Sequence, residues 1–567
     1  MLYWVLSLFV FNQLYHDAAP RNIQANEINF WNSIARKNVD KKLQMNPHLL
    51  KGNRPKNIIL FIGDGMGIST VTSARVNKNQ HAGNPHVNAP LFFEEFAHAG
   101  LVKTSSFDHH VTDSAAGATA LLTGRKTNSK MLGTMPNTKA TCTNATESHI
   151  VDGIVEGALQ KGVAVGFVTT TRVTHATPAA LYAKGVDRSS EYDKDTSRCD
   201  RDIAKQLLSY PASEFKVMMG GGRAYLMDET RHGLRRDGAN IDLEWLSLEG
   251  KRRVLRTRND LDAADGLDQE EKVLGVFSDQ HLPYYLNQLV DGQQTAPRLH
   301  EMTQKAIRHL QKDNDGFFLV VEGGLIDMAE HINQMHLAFA EMYEFEEAIR
   351  TAREMTNLND TLIIVTADHG HALTLPGYVP KTDSIFESFK ISEGGANGAE
   401  YFVPTMFFAT GPGYANGFQM HDGVATGQPL YRQRSAIPTK YGFHGGEDVG
   451  IWADGPFSEL FSSTIENTEV AYLMKFLLCA GTADYSICDV DKSLYEVSTS
   501  NPLHLNEFER GVMERFGVTT LTIAAVTLLV ISVLSLLVIF FLASLLYVQN
   551  KMISSSNYKA NHSQRLF

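Results

Sequence analysis

KNIILFIGDGMG, residues 56–67, is a short apolar run that stops at an aspartate set among three glycines. A run this short, rich in Ile and Phe and closed by glycine, reads as a strand buried on both faces. A strand wetted on one face would instead alternate apolar with polar residues. Three more runs follow the same plan: VAVGFVTT at 163–170, GFFLVVEGG at 316–324 and DTLIIVTADHG at 360–370. Each ends in Gly, Asp, Glu, Thr or His. Helical patterns lie between them: AAGATALLTG after Ser114, IVDGIVEGALQKG at 150–162, LHEMTQKAIRHLQK at 299–312 and HINQMHLAFAEMYEFEEAIRTAREM at 331–355. The alternation predicts an α/β fold, an open and mostly parallel sheet flanked by helices, with ligands gathered beyond the carboxyl ends of the strands. That rule collects Asp64, Ser114, the 170s, Glu322 to His331 and Asp368 to His371 into one site.

With 43% hydrophobic and 20% charged residues, the 567-residue chain has the composition of a folded globular protein, of one or two domains. Its basic residues are scattered over a formal net charge of -11, which excludes a nucleic-acid-binding stripe and predicts no nucleic-acid partner. An anionic substrate would need local positive charge. From 377 to 445 the texture turns Gly-, Pro- and Tyr-rich, as in a smaller loop-rich subdomain, before GFHGGEDVGIWADGP returns to the sheet. The charged stretch 223–272 reads as surface helices and loops. No internal repeat is visible.

An isolated Asp at a Gly-rich strand end is most simply a turn or cap residue. Its company changes that reading. TADHGHA offers Asp368, His369 and His371, VEGGLIDMAEH offers Glu322, Asp327 and His331, and HGGEDV adds His444. Carboxylates mixed with imidazoles suit zinc, and an all-oxygen set suits magnesium. A buried histidine is commonly a satisfied core residue, but four strand ends converging with Asp, Glu and His are not accounted for in that way.

Through NIILFIGDGMGISTVTSARV, VTDSAAGATALLTG, TTTRVTHATPAALYA, VEGGLIDMAEH, TADHGH and HGGEDV, over residues 50–485, the chain resembles the alkaline phosphatases, in particular the membrane-bound animal type. The resemblance implies hydrolysis of phosphate monoesters through a phosphoserine on Ser114, with an alkaline pH optimum. It implies two zinc ions and one magnesium ion per subunit. One zinc takes Asp327, His331 and His444; the other takes Asp64, Asp368 and His369 and touches Ser114. Magnesium shares Asp64 and adds Thr177 and Glu322, with His175 in its outer shell. Arg188 matches the arginine that grips phosphate, and its planar fork suits two phosphoryl oxygens better than a lysine does. A helix starting at Ser114 is expected to aim unpaired N–H groups at the same anion. Asp113 is expected to orient the serine turn. His371 is either an indirect zinc contact or a packed loop residue. Phe277 is followed by Ser278, where calcium-binding relatives carry a Phe-Glu pair, which puts a calcium site in doubt. Family members are homodimers that touch through the region matching 377–445. Against this reading stand a diesterase, a sulfatase, whose signature SAAGATA does not resemble, and a binding protein with merely structural metal.

Residues 1–19 read as a signal peptide, although no basic residue leads the apolar run. Residues 50–376 with 446–490 form the expected catalytic domain, and 377–445 a crown-like insert. Residues 518–548 carry no charge and are long enough to span a bilayer, and the basic tail 549–567 places itself in the cytosol. That predicts a single-pass type I plasma-membrane protein, with a glycolipid anchor as the alternative. Four cysteines in an exported domain pair most economically as Cys142–Cys199 and Cys479–Cys488. Asn144 and Asn359 lie in glycan-acceptor triplets.

Overall fold

The computed structural model describes residues 28–481 apart from 85, 87, 137–149, 195–200, 392–400, 415–425, 427 and 429. Its centre is a ten-stranded sheet. In chain order the strands are β1 (Asn57–Ile62), β2 (His98–Lys103), β3 (Ala164–Arg172), β4 (Val217–Gly221), β5 (Arg252–Leu255), β6 (Lys272–Val276), β7 (Phe317–Glu322), β8 (Thr361–Thr366), β9 (Val449–Asp454) and β10 (Ser463–Glu466). They lie in the order β10-β2-β9-β8-β1-β7-β3-β4-β6-β5. Every neighbouring pair is parallel except the two made by β9.

All residues of β1, β7 and β8 are buried, as their unbroken apolar runs require of strands covered on both faces. The register levels their carboxyl ends. Ile62 lies opposite both Glu322 and Thr366, and Thr169 lies opposite Glu322. Asp64, Glu322 and Asp368 therefore emerge at one height.

Eight helices matter here: α1 (Ile28–Met45), α2 (Ile68–His81), α3 (Ser114–Thr123), α4 (Ile154–Gln160), α5 (Leu299–Leu310), α6 (Leu325–His331), α7 (Met335–Met355) and α8 (Asn467–Leu478). Helix α5 buries Leu299, Met302, Thr303, Ala306, Ile307 and Leu310, one face at helical spacing, and packs on α7. Helix α8 packs on α3 and α1. All of α3 is buried, which its Ala and Gly residues permit. A Cβ at Gly117 would lie 3.1 Å from the Asp368 carbonyl oxygen, so glycine lets the serine helix approach the metal-ligand loop. The helix ends at Gly124, whose φ of 78° suits glycine.

The sequence reading is corrected in several places. The helix expected over 331–355 begins only at Met335, because His331 closes α6 and Asn333 takes φ 56°, which breaks the ladder between α6 and α7. Within the stretch read as surface helices and loops, Arg252–Leu255 is the edge strand β5, whose half-exposed, arginine-bearing pattern carries no unbroken apolar run. The chain does return to the sheet after His444, but as the antiparallel β9. Between 377 and 445 the described strands are Ser388–Ile391, Tyr401–Pro404, Phe407–Gly411, Ser435–Pro438 and His444–Gly445, all outside the large sheet. Among the described residues no helix is long and apolar enough to cross a membrane. Residues 1–19 and 518–567 lie outside them, as do Cys142, Cys199, Cys488 and Asn144. Cys479 is not a free thiol, and Asn359 is exposed.

Candidate active site and metal centre

Asp64 follows Gly63 at the end of β1 and is fully buried. Gly65, at φ 73°, allows the sharp turn there, and a Cβ on it would meet the His371 ring at 2.8 Å. Ser114 is the first residue of α3. Its Oγ lies 3.4 Å from Asp64 Oδ1 and 3.2 Å from His369 Nε2. His369 Nε2 is also 3.4 Å from Asp64 Oδ1 and 3.5 Å from Asp368 Oδ2.

A second group lies alongside. The two-residue strands Gly370–His371 and His444–Gly445 pair antiparallel, placing His371 opposite His444. His371 Nε2 is 2.6 Å from Asp327 Oδ1, and His331 Nε2 is 3.2 Å from Asp327 Oδ2. His331 Nδ1 donates to the Gly442 carbonyl at 2.7 Å, and His444 Nδ1 to the Thr112 carbonyl at 2.9 Å. With both Nδ1 atoms protonated, the two Nε2 atoms, 3.2 Å apart, present lone pairs to each other unless Asp327 Oδ2 holds a proton on His331 Nε2, the interaction that, against burial, raises His331 above its ordinary value. Such an arrangement calls for a cation between them.

The third group surrounds Glu322, the last residue of β7. Its Oε2 accepts from Thr169 and Thr171, while its Oε1 has no hydrogen-bond partner. Asp64 Oδ2, Asp368 Oδ2 and Thr177 Oγ1 are equally buried and unpartnered. Oxygens left in this way are costly unless an ion or solvent satisfies them.

Ligand atoms within 4.8 Å of one another form three sets: Asp327, His331, His371 and His444; Asp64, Asp327 and His369; and Asp64, His175 and Glu322. These sets differ from the expected partition. His371 sits in the first set itself, Asp327 stands in the second where Asp368 was expected, and His175, expected in the outer shell of magnesium, lies with Asp64 and Glu322.

The electrostatics follow from burial. Burial, then Asp368, Asp327 and Glu322, push the Asp64 carboxyl well above its ordinary range. Burial raises Asp368 and Glu322 to about 7 each. It also lowers His369 to about 3 and His444 well below its usual value, leaving both imidazoles neutral and able to ligate. Burial opposes the charge on Asp327, but His331 and His371 outweigh it and hold Asp327 well below the usual carboxylate range. The donor set fits divalent cations: imidazoles held neutral at His369, His371 and His444, and carboxylates that cannot all ionise together without one.

Arg188 follows the short strand Val186–Asp187. Its Nη1 donates to Asp113 Oδ2 at 3.1 Å and its Nη2 to His175 Nε2 at 3.0 Å. As expected, Asp113 orients the serine turn: its carboxylate accepts from the N–H groups of Ala115 and Ala116 and caps α3. The Gly117 N–H goes to the Asp113 carbonyl. Of the donors expected to face phosphate, those of Ala115, Ala116 and Gly117 are therefore taken by Asp113. Neither its link to Arg188 nor the Thr169 and Thr171 bonds to Glu322 left a signal beyond residue type in the sequence.

A serine set among converging carboxylates and imidazoles, at the carboxyl ends of a mostly parallel sheet, defines a metal-dependent hydrolase. An alkaline phosphatase family model matches residues 55–480, and the chain belongs to the alkaline phosphatase family. It is 36% identical to the tissue-nonspecific isozyme of Felis catus, over 80% of this chain and 88% of that protein. It is 35% identical to an alkaline phosphatase of Gadus morhua, over 81% and 98%, and 34% identical to a membrane-bound alkaline phosphatase of Bombyx mori, over 82% and 88%. The structure of alkaline phosphatase from the Antarctic bacterium TAB5 is similar at a TM-score of 0.54 and 25% identity, covering 76% of this chain and 99% of that one. A mutant of the TAB5 enzyme, with magnesium bound in its M3 site, is similar at 0.55. The chain is an alkaline phosphatase, a metal-dependent enzyme that hydrolyses phosphate monoesters.

Proposed function

We propose that Ser114 is the nucleophile and Arg188 the phosphate grip. One zinc is held by Asp327, His331 and His444, with His371 beside them, and a second by Asp64, Asp368 and His369 next to Ser114. Magnesium is held by Asp64, Thr177 and Glu322, with His175 at its edge. When bound, these cations supply positive charge at the attacking and departing oxygens.

Ser114 Oγ forms the bond to phosphorus as the bond to the substrate alcohol breaks. Water then attacks the phosphoserine, releasing inorganic phosphate and restoring the hydroxyl. Arg188, anchored by Asp113 and His175, donates its remaining N–H groups to the phosphoryl oxygens. Thr169 and Thr171 hold Glu322 in one orientation, so that its free oxygen points away from them. The observation that carries the reading is the placement of Ser114 Oγ 3.2 Å from His369 Nε2 and 3.4 Å from Asp64 Oδ1. Substituting Ser114→Ala is expected to abolish the phosphoserine, trapped at acid pH from labelled substrate, while zinc and magnesium content stay unchanged. Near-normal turnover in that variant rules out the nucleophile.

Residues 50–376 and 446–490 are proposed as the catalytic domain and 377–445 as a crown-like insert through which two copies pair. Membrane attachment through 518–548, behind a cleaved segment 1–19, has the membrane-bound Bombyx mori relative as support; a glycolipid anchor is the second reading. Pairings Cys142–Cys199 and Cys479–Cys488 and glycans on Asn144 and Asn359 complete the exported form.

A further inference from the structure

We infer that Arg172 and His281 are positioning residues for Arg188, acting through His175. The inference rests on the proposed role of Arg188 as the phosphate grip.

The starting point is the segment Phe277–Tyr285, which lacks the Phe-Glu pair. Its backbone is tied down on both sides. The Ser278 carbonyl accepts from Gly222 and Arg223, the Gln280 carbonyl from Gly222, and the Leu282 N–H donates to the Thr170 carbonyl. Asp279 accepts from Arg223 Nε at 2.8 Å. The strap so fixed brings His281 in beside His175, edge to face, with ring centroids 5.2 Å apart at 77°.

His281 is itself held. Its Nε2 accepts from Arg172 Nη1 at 2.6 Å, since a guanidinium has no lone pair to offer. Arg172 is locked by a bidentate bond to Glu191, at 2.7 and 2.6 Å, and lies over the Tyr225 ring at 4.8 Å. Glu191 also takes the hydroxyl of Thr174, the residue before His175, at 2.7 Å. The histidine is therefore fixed from its backbone side through Thr174 and at its ring through His281.

From His175 the frame reaches Arg188 at 3.0 Å, and Asp113 holds the other arm of that guanidinium at 3.1 Å. The frame thus begins and ends in an arginine–carboxylate pair, with two imidazoles between. Arg172 spends its Nε and both terminal nitrogens on Glu191 and His281, so it is committed to the frame and not presented to phosphate. A flexible arginine grips two phosphoryl oxygens well only if its plane is set beforehand, because ordering it on binding costs affinity. Here the plane is set by neighbours rather than by the substrate.

The test measures competitive inhibition by inorganic phosphate, with KM and kcat, in enzyme loaded with zinc and magnesium. His281→Ala and Arg172→Lys are made alone and in an Arg188→Ala background. His281→Ala leaves the Arg172–Glu191 pair whole, so folding does not depend on the outcome for Arg172. Each single variant is expected to raise the phosphate inhibition constant and KM about tenfold, the scale at which displaced binding groups are felt, with a smaller change in kcat. In the Arg188→Ala background the same substitutions are expected to change them less than about twofold, as residues acting through one group lose their separate effects. Equal losses in both backgrounds, or no loss from His281→Ala where Arg188→Ala weakens phosphate, overturn the positioning role alone. Unchanged phosphate inhibition in Arg188→Ala itself overturns the reading of Arg188, and this inference with it.

Discussion

At the scale of single residues, one carboxylate does two jobs and three others await charge. Asp113 caps α3 and pairs with Arg188. Asp113→Ala is expected to lose about 1 kcal/mol of stability from the cap and to weaken phosphate inhibition. Asp113→Asn, whose one oxygen can keep the Ala116 and Lys130 N–H bonds at the Oδ1 position while its amide NH2 faces Arg188, should recover much of the melting temperature and little of the phosphate affinity. Equal behaviour of the two variants would separate Asp113 from Arg188. The raised carboxyls supply a second prediction. Burial pushes Asp368 and Glu322 up to about 7 in the metal-free protein and moves Asp64 in the same direction, so near pH 6 Asp368 and Glu322 hold protons that a divalent ion must displace. His369, lowered to about 3, is already unprotonated there and releases none. Metal uptake should therefore acidify a weakly buffered solution more at pH 6 than at pH 9, and apparent affinity should climb through pH 7. Proton release independent of pH would refute this.

At the scale of elements, the break between α6 and α7 places a ligand. His331 closes α6, and Asn333 turns the chain at φ 56° before α7 begins at Met335. The Asn333 side chain accepts from the Gly413 N–H at 3.0 Å and donates to the Thr410 carbonyl at 3.3 Å, tying the turn to a strand outside the large sheet. Asn333→Ala strands those partners and puts a Cβ-bearing residue without a polar handle at positive φ, a loss of about 2 kcal/mol. Zinc content should fall with it, because His331 moves with the turn. Asn333→Gly relieves the backbone but not the lost bonds, and should fall between. Thermal unfolding and elemental analysis check both, and unchanged zinc in Asn333→Ala would detach the turn from the site.

At the scale of the whole molecule, the ligands come from chain segments as far apart as Asp64 and His444. An ion binding such a set cannot bind the unfolded chain equally well, so it must stabilise the fold. Saturation at 1,000 times the dissociation constant is worth about 4 kcal/mol per site. Chelation should accordingly abolish activity and lower the melting temperature, and zinc with magnesium should restore both; an unaltered melting temperature after verified metal removal would argue against shared ligation. Topology is tested by a tag after Phe567. Retention of the tag on the mature, cell-surface enzyme is the expected result. Loss of the tag, with release by a phosphatidylinositol-specific phospholipase, selects the glycolipid anchor and leaves the hydrolase untouched.

What the sequence by itself determined is local. Unbroken apolar runs specify strands buried on both faces, and a polar residue ending such a run must emerge at the sheet's edge, so Asp64, Glu322 and Asp368 are legible from residue order alone. The motifs around them carry the family. Only the tertiary structure decided which side chains meet. The pairing of His371 with His444, the Thr112 carbonyl that orients His444 from 332 residues away, and the strap that brings His281 to His175 all depend on the paths of separate loops. Edge strand β5 and the antiparallel direction of β9 are hidden for a related reason. Half-exposed strands have no unbroken apolar run, and strand direction is chosen by the connection rather than by the residues in the strand. Periodicity reports the free energy of burying one segment, whereas a site is made by register and closure among many.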